Sequence, residues 1–128
     1  MDLAALRYAE SHEWAKLDGD LVTVGITQYA VDQLTDVTHL QLPKVGAAVT
    51  AGKPFGEIES VKAVFDLNAP VSGTVAEVNA KLAQDPSAIN LDCYDVGWMI
   101  KIRLAPGATL DHLRTKPQYD ALLAQEGH

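Results

Sequence analysis

The sequence predicts a mainly β protein, a small barrel or sandwich that carries a helical C-terminal tail. Three features lead to that expectation. Short runs rich in β-branched residues recur through the first hundred positions, as in "DGDLVTVGIT" and "GWMIKIRL". Glycines and prolines punctuate these runs at close intervals. The last stretch, "LDHLRTKPQYDALLAQEG", trades alternation for helical spacing.

Taken in order, a Gly-containing turn at Asp18–Asp20 leads into a strand through Val22, Thr23, Val24 and Ile26. "QYAVDQLTD" loses the period of two and reads as a short helix with Thr27 as its N-cap. "VTHLQLP" returns to strand until Pro43 stops it. Gly46, Gly52 and Gly56 then mark turns or close backbone approaches between short strands. A hairpin follows, with strands Phe55–Ser60 and Ala63–Leu67 and a turn around Val61–Lys62. That turn lacks Asn-Gly or Gly-Gly chemistry, so local propensity alone does not place it. A strand at Thr74–Val78 follows the Pro70–Gly73 turn, and "AKLAQDPSAINLD" reads as a loop with one helical turn. The tail, about residues 108–126, reads as two short helices parted near Pro117, with Leu110, Leu113, Tyr119, Leu122 and Leu123 on the apolar side.

At 128 residues the chain is expected to form one domain over 1–128 with a core that needs no metal or disulfide staple. Its composition is 48% hydrophobic and 21% charged, which is that of a folded rather than a disordered chain. The formal charge of −7 comes without a clustered Lys/Arg footprint, which argues against nucleic acid and anionic membranes as partners. An acidic surface instead suits basic patches on partner proteins. No apolar run approaches the ~20 residues that span a bilayer. The start, "MDLAALRYAESHEW", has neither a basic n-region nor a long apolar stretch. The single cysteine, Cys93, fits a reducing compartment, and the expectation is a cytoplasmic protein.

Familiar chemistries are mostly missing. "GAAVTAGK" faintly resembles a phosphate loop, but Gly46 and Gly52 stand too far apart and Lys53 is followed by Pro54. His12, His39, His112 and His128 show no zinc-ligand spacing with each other or with Cys93. Cys93 in "LDCYDVGW" is expected to be an ordinary packed residue rather than a nucleophile. Lys62, in "GEIESVKAVFDLNAPVSG", is the exception. At a hairpin tip its amine would stand in water, reachable by a modifying enzyme and free of any burial penalty. The residues alone leave two readings open, a solvated surface lysine or an attachment site.

A resemblance bears on that choice. "ESVKAVFDLNAPVSGTVAEVN" resembles the lipoate-attachment segment of the H-protein family of the glycine cleavage system. "LRYAESHEW", "VTVGIT" and "YDVGWMIKI" agree with the same family, in order and at similar spacing, over residues 6 to 125. "VKA" sets the chain apart from biotin carriers, which have Met on both sides of the lysine. "SHEW" and the helical tail set it apart from lipoyl domains of 2-oxoacid dehydrogenases.

The resemblance implies a flattened β-barrel or sandwich of two small antiparallel sheets with short flanking helices, and lipoate in amide linkage on Lys62. It implies a carrier rather than an enzyme. The arm would take the aminomethyl group of glycine from glycine decarboxylase (P protein) to the aminomethyltransferase (T protein), and reducing equivalents to dihydrolipoyl dehydrogenase (L protein). A lipoate-attaching enzyme is a fourth implied partner. A lipoyl relay for other lipoate-dependent enzymes, or an unmodified β-barrel interaction module, are the alternatives. The family shelters its arm in a cleft whose contacts fall here on Ser11, Glu13 and Asp66, while Trp14 and Trp98 are expected to pack. Glu13 by itself would read as an exposed strand residue. The chain departs from the family at Phe65, where a small serine is common. It also departs at Gln33, where some members carry a cleft histidine, at Thr38–His39, and at Cys93, in a usual proline position.

Overall fold

The computed structural model describes residues 2–126. After a 3-10 turn at Leu3–Ala5 come β1 (Arg7–Tyr8), β2 (Glu13–Asp18), β3 (Leu21–Ile26), α1 (Gln28–Leu34) and β4 (Val37–Gln41). Then follow β5 (Ala48–Val49), β6 (Pro54–Ser60), β7 (Val64–Asn68) and β8 (Gly73–Val78). α2 (Ala80–Gln84), α3 (Ala88–Leu91), β9 (Ile100–Leu104) and α4 (Lys116–Glu126) complete the chain.

The strands form two antiparallel sheets, six-stranded in the order β1-β2-β3-β9-β8-β5 and three-stranded in the order β4-β6-β7. The expected mainly β class holds. Neither sheet closes on itself, so the architecture is a sandwich rather than a closed barrel. Val22, Val24, Val75, Ile100 and Ile102 from the large sheet form one core cluster with Leu40, Ile58 and Leu67 from the small one. Leu6, Tyr8, Trp14 and Tyr119 form a second cluster between the large sheet and α4.

Bulges make the small sheet work. Val37 and Leu40 are both buried although three residues apart, which strict alternation forbids. A register shift between Val37 and His39 supplies the extra residue that turns both inward. Phe55 and Ile58 are likewise both buried, beside a register shift between Pro54 and Gly56. At Gly56 a Cβ would stand 2.3 Å from the Gln41 carbonyl oxygen, so this close strand approach requires glycine.

Two helical expectations are corrected. "AKLAQDPSAINLD" holds two short helices, α2 and α3, rather than one turn; Asn79 Oδ1 accepts the Leu82 N–H at 3.4 Å and starts the first. The tail is one helix, α4, and Leu110 and Leu113 are buried in irregular chain ahead of it. Pro117 lies in the first turn of α4, where its missing N–H costs nothing, instead of parting two helices. Gln118 Oε1 reaches back to accept the Thr115 N–H at 2.9 Å, half of a capping box written in "TKPQ". Thr27 caps α1 as expected, its Oγ1 accepting the Ala30 N–H.

Candidate functional site: a lysine-tipped hairpin beside an apolar cleft

β6 and β7 pair in the register Glu59↔Val64, Ile58↔Phe65 and Glu57↔Asp66, which leaves Ser60–Ala63 as the tip. Ser60 builds this turn where Asn-Gly chemistry is lacking. Its Oγ accepts the N–H groups of Lys62 and Ala63, both at 3.1 Å, and its own N–H donates to the Ala63 carbonyl at 2.8 Å. The Val61 N–H donates to the Asp36 carbonyl at 3.2 Å, which anchors the tip to the loop before β4. That loop contains Thr35 in a left-handed conformation (φ 62°). Asn90 of α3 clamps it, donating to the Thr35 carbonyl and accepting the Val37 N–H at 3.0 Å. Lys62 stands exposed on this braced turn, and among the described residues its ammonium meets no carboxylate or hydrogen-bond acceptor.

Beside the hairpin lies a cavity of about 470 Å³. One wall is α1, with Tyr29, Ala30, Gln33 and Leu34; another is the hairpin, with Ile58 and residues Phe65 to Asn68. Ser11, His12 and Glu13, ahead of and at the start of β2, line the remainder together with Ile26.

Glu13 is 2% exposed, not the surface residue its strand position suggests. Ser11 Oγ donates to its Oε1, and the Asn68 N–H donates to Oε2 at 3.0 Å. Burial pushes its carboxyl up from 4.5 to about 7, a rise that these two hydrogen bonds only partly oppose. The cleft therefore contains one acid that changes charge near neutral pH.

His12 holds this corner to the C-terminal helix. Its backbone is left-handed (φ 75°), and its ring lies 4.7 Å from that of Tyr29. Nδ1 lies 2.8 Å from Tyr119 Oη, which also meets Thr27 Oγ1 at 2.6 Å. Nε2 is 3.2 Å from Glu126 Oε2. Burial lowers the imidazole pKa, opposed by Glu126 and Glu10, so the ring is neutral at pH 7. A consistent chain of donors then runs from Thr27 O–H to Tyr119 O–H to His12 Nδ1, with the Glu126 carboxylate close to Nε2.

Of the three expected cleft contacts, the fold brings Ser11 and Glu13 together on one wall. Asp66 lines the cavity as well, from the β7 side. Its register partner across the hairpin is Glu57. Glu57, Glu59 and Asp66 are all exposed, and the directly opposed Glu57–Asp66 pair is an unfavourable one. Phe65 and Gln33 both line the cavity. Trp14 is buried, as expected, and donates from Nε1 to the Cys93 carbonyl at 3.1 Å. Trp98 is partly buried under the Lys101 ammonium, 5.1 Å from its ring. Cys93 is 1% exposed and burial raises its thiol to about 11, which leaves it protonated and inert. His128 lies outside the described residues, and neither His39 nor His112 lines the cleft.

Sequence reasoning missed Ser60, His12, Tyr119 and Asn68. The polar residue two positions before Lys62 was a legible turn signal; contacts spanning 107 and 55 residues were not.

The glycine cleavage H-protein family model matches residues 6–126. The chain belongs to that family. It is 53% identical over 121 residues to the glycine cleavage system H protein of Opitutus terrae, covering 94% of this chain and 95% of that one. With the mitochondrial glycine cleavage system H protein 2 of Arabidopsis thaliana it shares 45% identity, over 97% of this chain and 80% of the relative. The crystal structure of the H protein of Mycobacterium marinum superposes with a TM-score of 0.85 at 37% identity, covering 98% of both chains. Membership makes this chain a lipoyl carrier of glycine cleavage, in agreement with the lysine-tipped hairpin.

Proposed function

We propose that Lys62 is the lipoylated residue and that the cleft receives its arm. On this reading the protein shuttles the aminomethyl group of glycine from glycine decarboxylase to the aminomethyltransferase, and reducing equivalents to dihydrolipoyl dehydrogenase. The observation that carries it is an exposed lysine, without a partner among the described residues, on a braced turn next to an apolar cleft with a buried carboxyl group. A lipoyl group in amide linkage would supply a disulfide able to accept a one-carbon amine unit and two electrons.

The residues present fit such a group. Lys62 offers an amine accessible to the attaching enzyme, and the Ser60 hydroxyl fixes the backbone on which it is presented. Phe65 and Asp66 border the cavity three and four residues further on, so the tether starts within roughly 15 Å of it. The cavity's Ile26, Ala30, Leu34, Ile58 and Leu67 suit an aliphatic chain. Glu13 and Ser11 supply the polar end. A protonated amine near Glu13 would draw the carboxyl into its ionised form, where a charge-assisted hydrogen bond holds the cation away from bulk water. The acidic outer face of the hairpin would favour partners with basic docking surfaces. The buried free thiol fits a reducing, cytoplasmic setting.

The test is intact mass and peptide mapping of wild type and Lys62→Arg after incubation with lipoate and an active lipoate-attaching enzyme. One lipoyl adduct is expected on the Lys62 peptide of wild type and none on the variant. An unmodified Lys62 in the presence of active enzyme overturns the reading.

A further inference from the structure

Phe65 is 49% exposed, yet it lies on the inward face of the hairpin. Its register partner is Ile58, 1% exposed, and its neighbour on the same face is Leu67, 2% exposed. The exposed large hydrophobic residues among those described are Leu17, Val45, Val61, Val64, Phe65, Leu91 and Val96. Of these, Phe65 alone lines the cleft. A half-wet aromatic ring over an apolar cavity is an incomplete packing surface, and covering it is favourable in proportion to the area covered. The covering group lies close at hand in the chain, because Lys62 is three residues away at the tip of the same hairpin.

We propose that Phe65 is the gate of the cleft, a positioning residue that packs against the aliphatic part of the Lys62-borne arm and sets how much of the time the arm is docked. This rests on the lipoyl reading above and adds to it a determinant of arm residence. The ring does so from the cavity's edge: its inner side joins the apolar wall of Ile58 and Leu67, and its outer side is solvated until an apolar chain covers it. A serine here would remove that surface and widen the mouth while leaving Lys62, Ser60 and Glu13 untouched. The arm would then spend more time in water, where a partner, or any solute, reaches its disulfide sooner.

The experiment uses the lipoylated full-length chain as wild type, Phe65→Ser and Phe65→Leu, with intact mass recording the adduct on each. The rate at which a water-soluble phosphine reduces the dithiolane is then measured. In that reaction the S–S bond becomes two thiols and the phosphine is oxidised to its oxide, water supplying the oxygen. Wild type is expected to react more slowly than the same chain unfolded in urea. Phe65→Ser should react about tenfold faster than wild type, and Phe65→Leu should recover most of the protection, since leucine restores apolar area. Equal rates for wild type and a folded, lipoylated Phe65→Ser overturn the proposal and leave the lipoyl reading standing. An adduct missing only from Phe65→Ser would assign the ring to the attaching enzyme and overturn it too. An adduct missing from wild type would overturn both readings.

Discussion

His12 and Tyr119, 107 positions apart in sequence, share a 2.8 Å hydrogen bond that fastens the C-terminal helix to the wall of the cleft. Tyr119 is 3% exposed, its ring stacks on Tyr8 at 4.6 Å, and its hydroxyl serves Thr27 as well as His12. Thr27 caps α1, and its N–H donates to the His12 carbonyl at 3.0 Å. One hydroxyl therefore braces two sides of the cavity, the Ser11–Glu13 segment and the start of α1.

Tyr119→Phe keeps the stacked ring and removes that hydroxyl. His12 Nδ1 and Thr27 Oγ1 are then left without it in a partly dry site, and a loss of about 1–3 kcal/mol is expected. Urea unfolding measures the cost. Hydrogen exchange should show the accompanying loosening at residues 11–13 and 27–30, ahead of the rest of β2. A variant with wild-type exchange at those amides would show that the brace is dispensable.

Glu13 makes stability depend on pH. Its folded pKa is raised, from 4.5 to about 7, so between those values the native state keeps a proton that the unfolded chain has lost. Stability from this group is full below about pH 4.5, falls as pH rises through that window, and is level above about 7. The whole change is roughly 3 kcal/mol at most. Glu13→Gln can still accept from the Asn68 N–H and has no charge to bury. Relative to wild type it should gain stability steadily from pH 5 to pH 7.5, read from denaturation midpoints in matched buffers. A constant difference across that range would contradict the assignment.

Ser60 is expected to matter more for presentation than for stability. Ser60→Ala removes the acceptor of two tip N–H groups on an exposed turn, which costs about 0.5–1.5 kcal/mol. Faster amide exchange at Lys62 and Ala63 should accompany it, together with slower lipoylation of Lys62 by the attaching enzyme. Ser60→Thr, which retains the hydroxyl, should restore both.

Much of this was legible in the residues. Strand runs such as "LVTVGI" have a period of two because one face must be dry, and they became strands at the expected places. Thr27 announced α1 because a hydroxyl that can cap is a local feature. The tail departs from expectation for an equally local reason: proline breaks a helix interior, but in "TKPQ" it marks a first turn. The bulges at Val37/His39 and Pro54/Gly56 were illegible, since each depends on the strand across from it.

The site divides the same way. The proposal for Lys62 starts from a short contiguous motif, because an attachment site needs only one reachable amine on a turn. The environment of Glu13 does not. Its burial, its raised pKa and its bond from Asn68 arise where β2 meets the end of β7, 55 residues later. Asp66, which the motif offered to the cleft, lines the cavity from β7. The sequence by itself determined the strand pattern, the family resemblance and the lysine proposed to carry the arm. Only the tertiary structure decided which polar groups lost their water, because desolvation depends on what packs against a residue and not on what adjoins it in the chain.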